Sequence, residues 1–377
     1  MSADTMTRPP TTTRWSRSPL APGAAVYVAV RIITVVFIAL DDLGTHRGLV
    51  QHLSRWDGKW FLLAANHGWP SHLPMVHGHV AANPIAFFPV FPLMMRALSD
   101  ITGLSRAVAG LWISGVTGLV AVVAVGMLTR VVADDAAARR AAILFALAPG
   151  SFVFSMIYNE GLVITLSAIG LWALLQRRWW VAALVGAVAT ATSPTALVFV
   201  VVAAWSAGRA IAQRREWISL VAPFGSLVGF ATWMGYLWAH TGTPRAWQLT
   251  ERGGWHSYPS LMYPVHVLVK FVTNPLSPTM TGQILVAGTV VSVAGLVVVI
   301  RQHPPTELVV YATAAVILYA ASAPVGMRPR LVMLAFPLTM AAATRWSGRT
   351  YRVLVVSSAL ALALMTFETL CSWAVFP

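Results

Sequence analysis

Apolar residues along this chain come in uninterrupted runs rather than in alternation with polar ones. The runs lie near 24–41, 107–129, 141–157, 161–176, 180–193, 195–212, 217–239, 281–300, 306–322, 331–344 and 352–372. Several reach about 17–25 residues, the length that crosses a ~30 Å hydrocarbon core. Inside lipid every backbone polar group needs an internal partner, so such runs must be helices or strands of a closed barrel, and the lack of alternation selects helices. The pattern predicts an all-α, polytopic transmembrane protein with about 11 spans. The segment 84–99 is apolar but interrupted by Pro84, Pro89 and Pro92. It is expected to lie along the membrane interface, with Phe87, Phe88 and Phe91 facing lipid.

Charge arbitrates the topology. Short cytoplasmic loops of membrane proteins carry an excess of Lys and Arg. With Arg8, Arg14 and Arg17 inside and 84–99 interfacial, the clusters Arg130/Arg139/Arg140, Arg177/Arg178, Arg209/Arg214/Arg215, Arg301 and Arg345/Arg349/Arg352 also fall inside. Counting 84–99 as a span would move all the later clusters outside. The favoured arrangement leaves two long outer loops, about 42–106 and 240–280, with interfacial helices in the first. Short outer turns follow near 158–160, 193–195 and 323–330. Arg31 falls inside the first span, where a charge is costly unless it snorkels or finds a partner; snorkelling to the cytoplasmic face is the expectation.

Composition agrees: 57% of the 377 residues are hydrophobic and 10% charged, against about 25% charged in soluble domains. The net charge of +14 does not point to nucleic acid, because it is arginine in short clusters between apolar runs. The single cysteine, Cys371, excludes an intrachain disulfide and a multi-cysteine metal cluster. Residues 1–23, rich in Ser, Thr, Pro and Arg, are expected to be a disordered cytoplasmic terminus. Residues 24–377 are expected to form one transmembrane domain, whose first span is a retained signal anchor.

Polar chemistry gathers on the outer side. Arg55-Trp56-Asp57-Gly58-Lys59-Trp60-Phe61 sets a carboxylate among two cations and two tryptophans. The carboxylate suits proton acceptance from a hydroxyl and the rings suit a sugar face; the same string also suits a Trp-anchored interfacial loop with a local salt bridge. Asp41-Asp42 reads equally as a polar stop to the first span. Tyr158-Asn159-Glu160 interrupts an apolar region, where the glutamate would also suit the N-terminus of the next helix. Arg328-Pro329-Arg330 breaks the inner bias of arginine, and guanidinium forks suit phosphate. His46, His52, His67, His72, His77 and His79 share the first outer loop, but their spacing matches no metal site.

Taken in order, Arg-Trp-Asp-Gly at 55–58, Ala-Phe-Phe-Pro-Val-Phe-Pro at 86–92, Ser-Met-Ile-Tyr-Asn-Glu at 155–160 and Arg-Pro-Arg at 328–330 followed by Phe336-Pro337 resemble the PIG-V type of mannosyltransferase. This family includes the enzyme that adds the second mannose of glycosylphosphatidylinositol anchors. It resembles in turn the GT-C class of membrane glycosyltransferases, which use polyprenyl-phosphate sugars outside the cytoplasm. The resemblance implies a multi-pass protein of the cell membrane with an extracytoplasmic active site and neither a catalytic metal nor a cofactor. It implies an inverting transfer of mannose from a polyprenyl-phosphate donor to a glycolipid, lipoglycan or glycoprotein acceptor. Asp57 would be the catalytic base, with Asp41-Asp42 in reserve. Arg328, Arg330, Lys59 and Arg55 would hold the donor phosphate, and Trp56, Trp60, His67, Tyr158 and Glu160 would meet the acceptor or sugar.

Where the family shows an Arg-Ser-Asn-Gly-like string, this chain has Thr192-Ser193-Pro194-Thr195, which leaves the acceptor open. Arg-over-Lys and Ala/Val-rich usage resembles a high-GC bacterium such as an actinobacterium, where phosphatidylinositol mannosides, lipoglycans or mannosylated proteins would be acceptors. Two other readings stand beside this one. The first is a GT-C transferase of another polyprenyl-phosphate sugar, such as arabinose. The second is a lipid or sugar transporter, against which stand the lack of an internal repeat and the placing of polar residues at one face rather than the midplane.

Overall fold

The computed structural model describes residues 19–46, 48–273, 279–372 and 375–377. Most of the expected disordered terminus, residues 1–18, lies outside the described residues, as do 274–278 of the second outer loop.

The chain is a multi-pass helical membrane protein. Among the described residues, six helices are long and apolar enough to cross a bilayer: Ala21–Thr45, Arg106–Val132, Pro194–Arg214, Trp217–Thr241, Met280–Arg301 and Gly348–Cys371. A seventh results if Asp135–Ala146 and Pro149–Ser155, bent by 68°, count as one span. Glu160–Leu175, Trp179–Thr192 and Thr306–Ala320 are apolar but shorter. The apolar runs therefore outnumber the full-length spans. Proline is one reason: Pro149 and Pro337 lack the N–H that would continue a helix. The run 141–157 accordingly breaks after Ala146, and 331–344 divides into Pro329–Leu334 and Pro337–Arg345.

Local signals set the helix ends. Asp134 accepts the Ala137 N–H at 2.6 Å and Ser105 that of Val108 at 3.3 Å, each covering an orphan donor of a first turn. Hydroxyls tie the packed helices together. Thr190 Oγ1 donates to the Ser226 carbonyl at 2.7 Å, joining Trp179–Thr192 to Val221–Thr241. Arg31 does not snorkel. Its guanidinium donates to the Ser151 carbonyl and hydroxyl and lies 5.0 Å from the centre of the Tyr27 ring. The broken turn Pro149–Ser155 supplies a free carbonyl at that depth, which gives the charge a partner.

The first long loop, expected on the outer side, folds into Leu49–Leu53, Asp57–His67, a short hairpin pairing Met75–Val76 with His79–Val80, a 3-10 turn Pro84–Ala86 and the helix Val90–Thr102. The expectation that Phe88 and Phe91 face lipid is corrected here: they are 1% and 0% exposed. Phe88 meets Phe230, Trp233 and Trp247, while Phe91 packs edge-on against Phe61 at 4.9 Å. Phe87 packs against Phe61, Trp60 and Trp255. These aromatics dock the loop onto the bundle, and aromatic residues from distant stretches of chain take the place given to lipid.

Candidate functional site

Three helix N-termini converge beneath the two long loops. Asp57 begins Asp57–His67, Glu160 begins Glu160–Leu175, and Arg330 follows Pro329 at the start of Pro329–Leu334. A carboxylate is favoured at the positive end of a helix, and proline suits a first helical position because its missing N–H would have no partner there.

The chain before each start fixes its position. Trp56 has φ 56°, a left-handed conformation that a bulky residue rarely adopts, at a cost of about 1–3 kcal/mol. Its ring packs edge-on against Phe376 at 4.9 Å and its indole N–H reaches the Thr369 carbonyl at 3.5 Å. The sharp turn thus held sends the chain straight into the helix headed by Asp57. Ser114 locks the second start, donating to the Tyr158 carbonyl at 2.8 Å and accepting the Tyr158 N–H at 3.0 Å. Asn159 donates to the Thr192 carbonyl at 2.8 Å. Behind the third start lies Gly150, where an added Cβ would strike the Pro329 carbonyl and come within 2.8 Å of Arg330 Cα.

The result is a buried ion cluster. Arg330 Nη1 lies 2.8 Å from Asp57 Oδ2 and 2.9 Å from Glu160 Oε1, and its guanidinium sits 5.4 Å from the centre of the Tyr158 ring. The Tyr158 hydroxyl accepts the Asp57 backbone N–H at 3.2 Å. Glu160 Oε2 and Arg330 Nε are buried without partners among the described residues, a polar demand that the protein leaves unmet. One guanidinium against two carboxylates leaves a formal charge of −1.

The cluster lines a cavity of about 980 Å³, large enough for a sugar and more. Arg328 lines it too, donating to the carbonyls of Phe376 at 2.6 Å and Pro377 at 3.2 Å. The other expected residues stand apart. Arg55 lies over the Trp56 ring and Lys59, exposed, over the Trp60 ring; neither lines the cavity. Residues i and i+2 of a helix face different ways, which turns Lys59 from Asp57. Trp56 and Trp60 brace the walls from behind. His67 is exposed at the far end of its helix, about 15 Å of helical rise from Asp57. Asp42 caps the Gly48 N–H at 2.6 Å, and neither it nor Asp41 reaches the cavity.

Sequence reasoning missed the rest of the lining. Thr192, Ser193, Pro194 and Thr195, the string that departs from the family pattern, form one wall. The second long loop forms another, through helix Ala246–Gly254 and the residues that flank it: Arg245, Trp247, Gln248, Glu251, Arg252 and Trp255. Burial pushes the Glu251 carboxyl up to about 7. The Arg-Gly-Gly-Trp string at 252–255 was the available signal.

Residues 39–212 match the sequence model of the Mannosyltransferase (PIG-V) family. GPI alpha-1,6-mannosyltransferase 2 of Cricetulus griseus is 33% identical over 168 residues, which is 41% of this chain and 31% of that protein. In structure, ArnT from Cupriavidus metallidurans bound to undecaprenyl phosphate superposes with a TM-score of 0.56 at 15% identity, over 90% of this chain and 63% of ArnT. The Archaeoglobus fulgidus oligosaccharyltransferase in its apo form gives 0.53 at 15% identity, over 96% of this chain and 56% of that one. The chain thus spans less than two thirds of each of these proteins. The resemblance read from the motifs holds over the matched region, which contains Asp57 and Glu160, and the fold is that of the GT-C class.

Proposed function

We propose that this chain, a GT-C membrane protein whose residues 39–212 match the PIG-V mannosyltransferases, transfers mannose from a polyprenyl phosphate to a hydroxyl of a lipid-linked or cell-envelope glycan. The observation that carries this reading is the placing of Asp57, in the family-matched region, against Arg330 in the wall of a sugar-sized cavity. Arg330 grips one carboxylate oxygen and leaves the other to accept the proton of the attacking hydroxyl. The acceptor oxygen bonds to the anomeric carbon as the bond from that carbon to the phosphate oxygen breaks. The phosphate leaves with the electron pair, so a β-linked donor gives an α-glycoside. Arg328, a cation of the cavity wall that forms no ion pair with Asp57 or Glu160, steadies the leaving phosphate. Arg330 positions Asp57 rather than meeting the donor. The lipid chain lies along the bundle, and the site opens on the extracytoplasmic side, a reading that the arginine bias of the other loops supports.

Two features support this reading over a transporter. The ion cluster sits at helix ends beneath the outer loops, and ArnT, which shares the fold, is described with undecaprenyl phosphate bound. The test is transfer of label from polyprenyl-phosphate mannose into a lipid or glycan fraction by membranes containing the protein, with polyprenyl-phosphate arabinose in parallel. Label from the arabinose donor alone would replace mannose as the sugar. Transfer from neither would remove the transferase reading.

A further inference from the structure

The ion cluster poses a question about charge. Its formal −1 opposes an anion, and Arg330 already meets two carboxylates. Beyond Arg328, a phosphate-bearing lipid entering this cavity needs further cations on its path.

Helix Ala246–Gly254 in the second outer loop supplies them. The helix is pinned along one side: Ala246 and Thr250 are buried, and Thr250 Oγ1 accepts from Asn83 Nδ2 at 3.3 Å. A Cβ on Gly254 would lie 2.7 Å from the Ala81 carbonyl and from Ala82 Cα, so only glycine lets this end sit so close to the hairpin. A second side, Trp247 and Glu251, turns into the cavity. Arg245, Gln248 and Arg252, spaced i, i+3 and i+7, share a third side. All three are exposed, and all three line the same cavity, which places them at its lip. No carboxylate pairs with Arg245 or Arg252 among the described residues. Trp255, just beyond the helix and also lining the cavity, has its indole N–H buried with no acceptor among the described residues. A buried donor without a partner points to an acceptor oxygen brought by a ligand.

We infer that Arg245, Gln248 and Arg252 form an anion-binding face at the cavity lip that takes the phosphate group of a membrane lipid, with Trp255 donating to an oxygen nearby. The inference rests on the proposed transfer only for which lipid it is: the donor's polyprenyl phosphate or the phosphodiester of an acceptor. Guanidinium forks with an amide between them match phosphate oxygens through charge-assisted hydrogen bonds, and their exposure makes the binding salt-dependent.

Binding is measured on the purified full chain in detergent, with undecaprenyl phosphate, phosphatidylinositol and uncharged undecaprenol as probes. The Arg245→Gln/Arg252→Gln double variant is compared with the parent, and Arg245→Lys/Arg252→Lys restores the charge. We expect the Gln pair to weaken one phosphate lipid by roughly tenfold or more, with undecaprenol binding and the melting temperature unchanged and with substantial recovery in the Lys pair. Loss confined to undecaprenyl phosphate assigns the face to the donor, and loss confined to phosphatidylinositol assigns it to the acceptor. Unchanged binding of both, or an equal loss of undecaprenol, overturns the inference. Because the readout is binding, absence of mannose transfer would refute the proposed reaction without touching this result.

Discussion

Arg330 Nη1 lies 2.8 Å from Asp57 Oδ2, and the same nitrogen lies 2.9 Å from Glu160 Oε1. One guanidinium nitrogen therefore ties the starts of two helices to a third. Removing it would leave two carboxylates buried side by side. Arg330→Gln is expected to lose about 3–5 kcal/mol of stability and most of its transfer activity. Arg330→Lys keeps the charge but not the fork, and should recover stability more than activity. Thermal unfolding in detergent beside the transfer assay checks this. Wild-type stability in the Gln variant would mean the cluster does not hold the helices together.

Gly150 offers a test of the same geometry from behind. An added methyl would strike the Pro329 carbonyl, and neither backbone can yield without shifting Arg330. Gly150→Ala is expected to lower transfer at least tenfold or to reduce folded protein in the membrane. Gly208→Ala, where a Cβ meets nothing within 4 Å, should do neither. Parallel expression and activity measurements on the pair decide it.

The half-buried acid Glu251 sets a pH dependence. Its carboxyl is pushed from the ordinary 4.5 up to about 7 by burial, so the folded state binds more protons than the unfolded one between those values. Its contribution to stability is full below pH about 4.5 and is lost as pH rises to about 7. Glu251→Gln should flatten the melting temperature across that window. A melting curve of the Gln variant that falls with pH as steeply as the parent's would show that another group is responsible.

The segment 84–99 is expected to leave its two flanks on the same side of the membrane. His79→Cys and Leu104→Cys, both at exposed positions, placed singly on a Cys371→Ser background, should react with an impermeant thiol reagent from one face. Labelling from opposite faces would invert every later loop and part Glu160 and Arg330 from Asp57, contradicting the ion cluster itself.

What could be read from the chain alone follows from the cost of charge near lipid. Asp57, Glu160 and Arg330 stood out because ionised residues beside apolar runs need a reason to be there, and the structure brings these three together. Their pairing was not legible: each suited a helix end or a headgroup separately, and only the tertiary fold makes Arg330 their common partner. Lys59 is expected among the phosphate cations, yet the helical turn carries it away from Asp57. Phe88 and Phe91 were given to lipid because their burying partners, Phe230, Trp233 and Trp247 for the first and Phe61 for the second, lie in other segments. The lip helix of the second loop escaped notice because no apolar run or clustered charge marks it.

The central claim is that Asp57 takes the proton of the acceptor hydroxyl, and Asp57→Asn tests it most directly. Amide and carboxylate have nearly the same shape, but the amide cannot accept that proton. The measurement is single-turnover transfer from radiolabelled polyprenyl-phosphate mannose by equal amounts of folded wild type and variant. A fall of about 100-fold or more, with unchanged donor binding, is the expected result. Turnover by the Asn variant at the wild-type rate would contradict it and remove Asp57 from the chemistry.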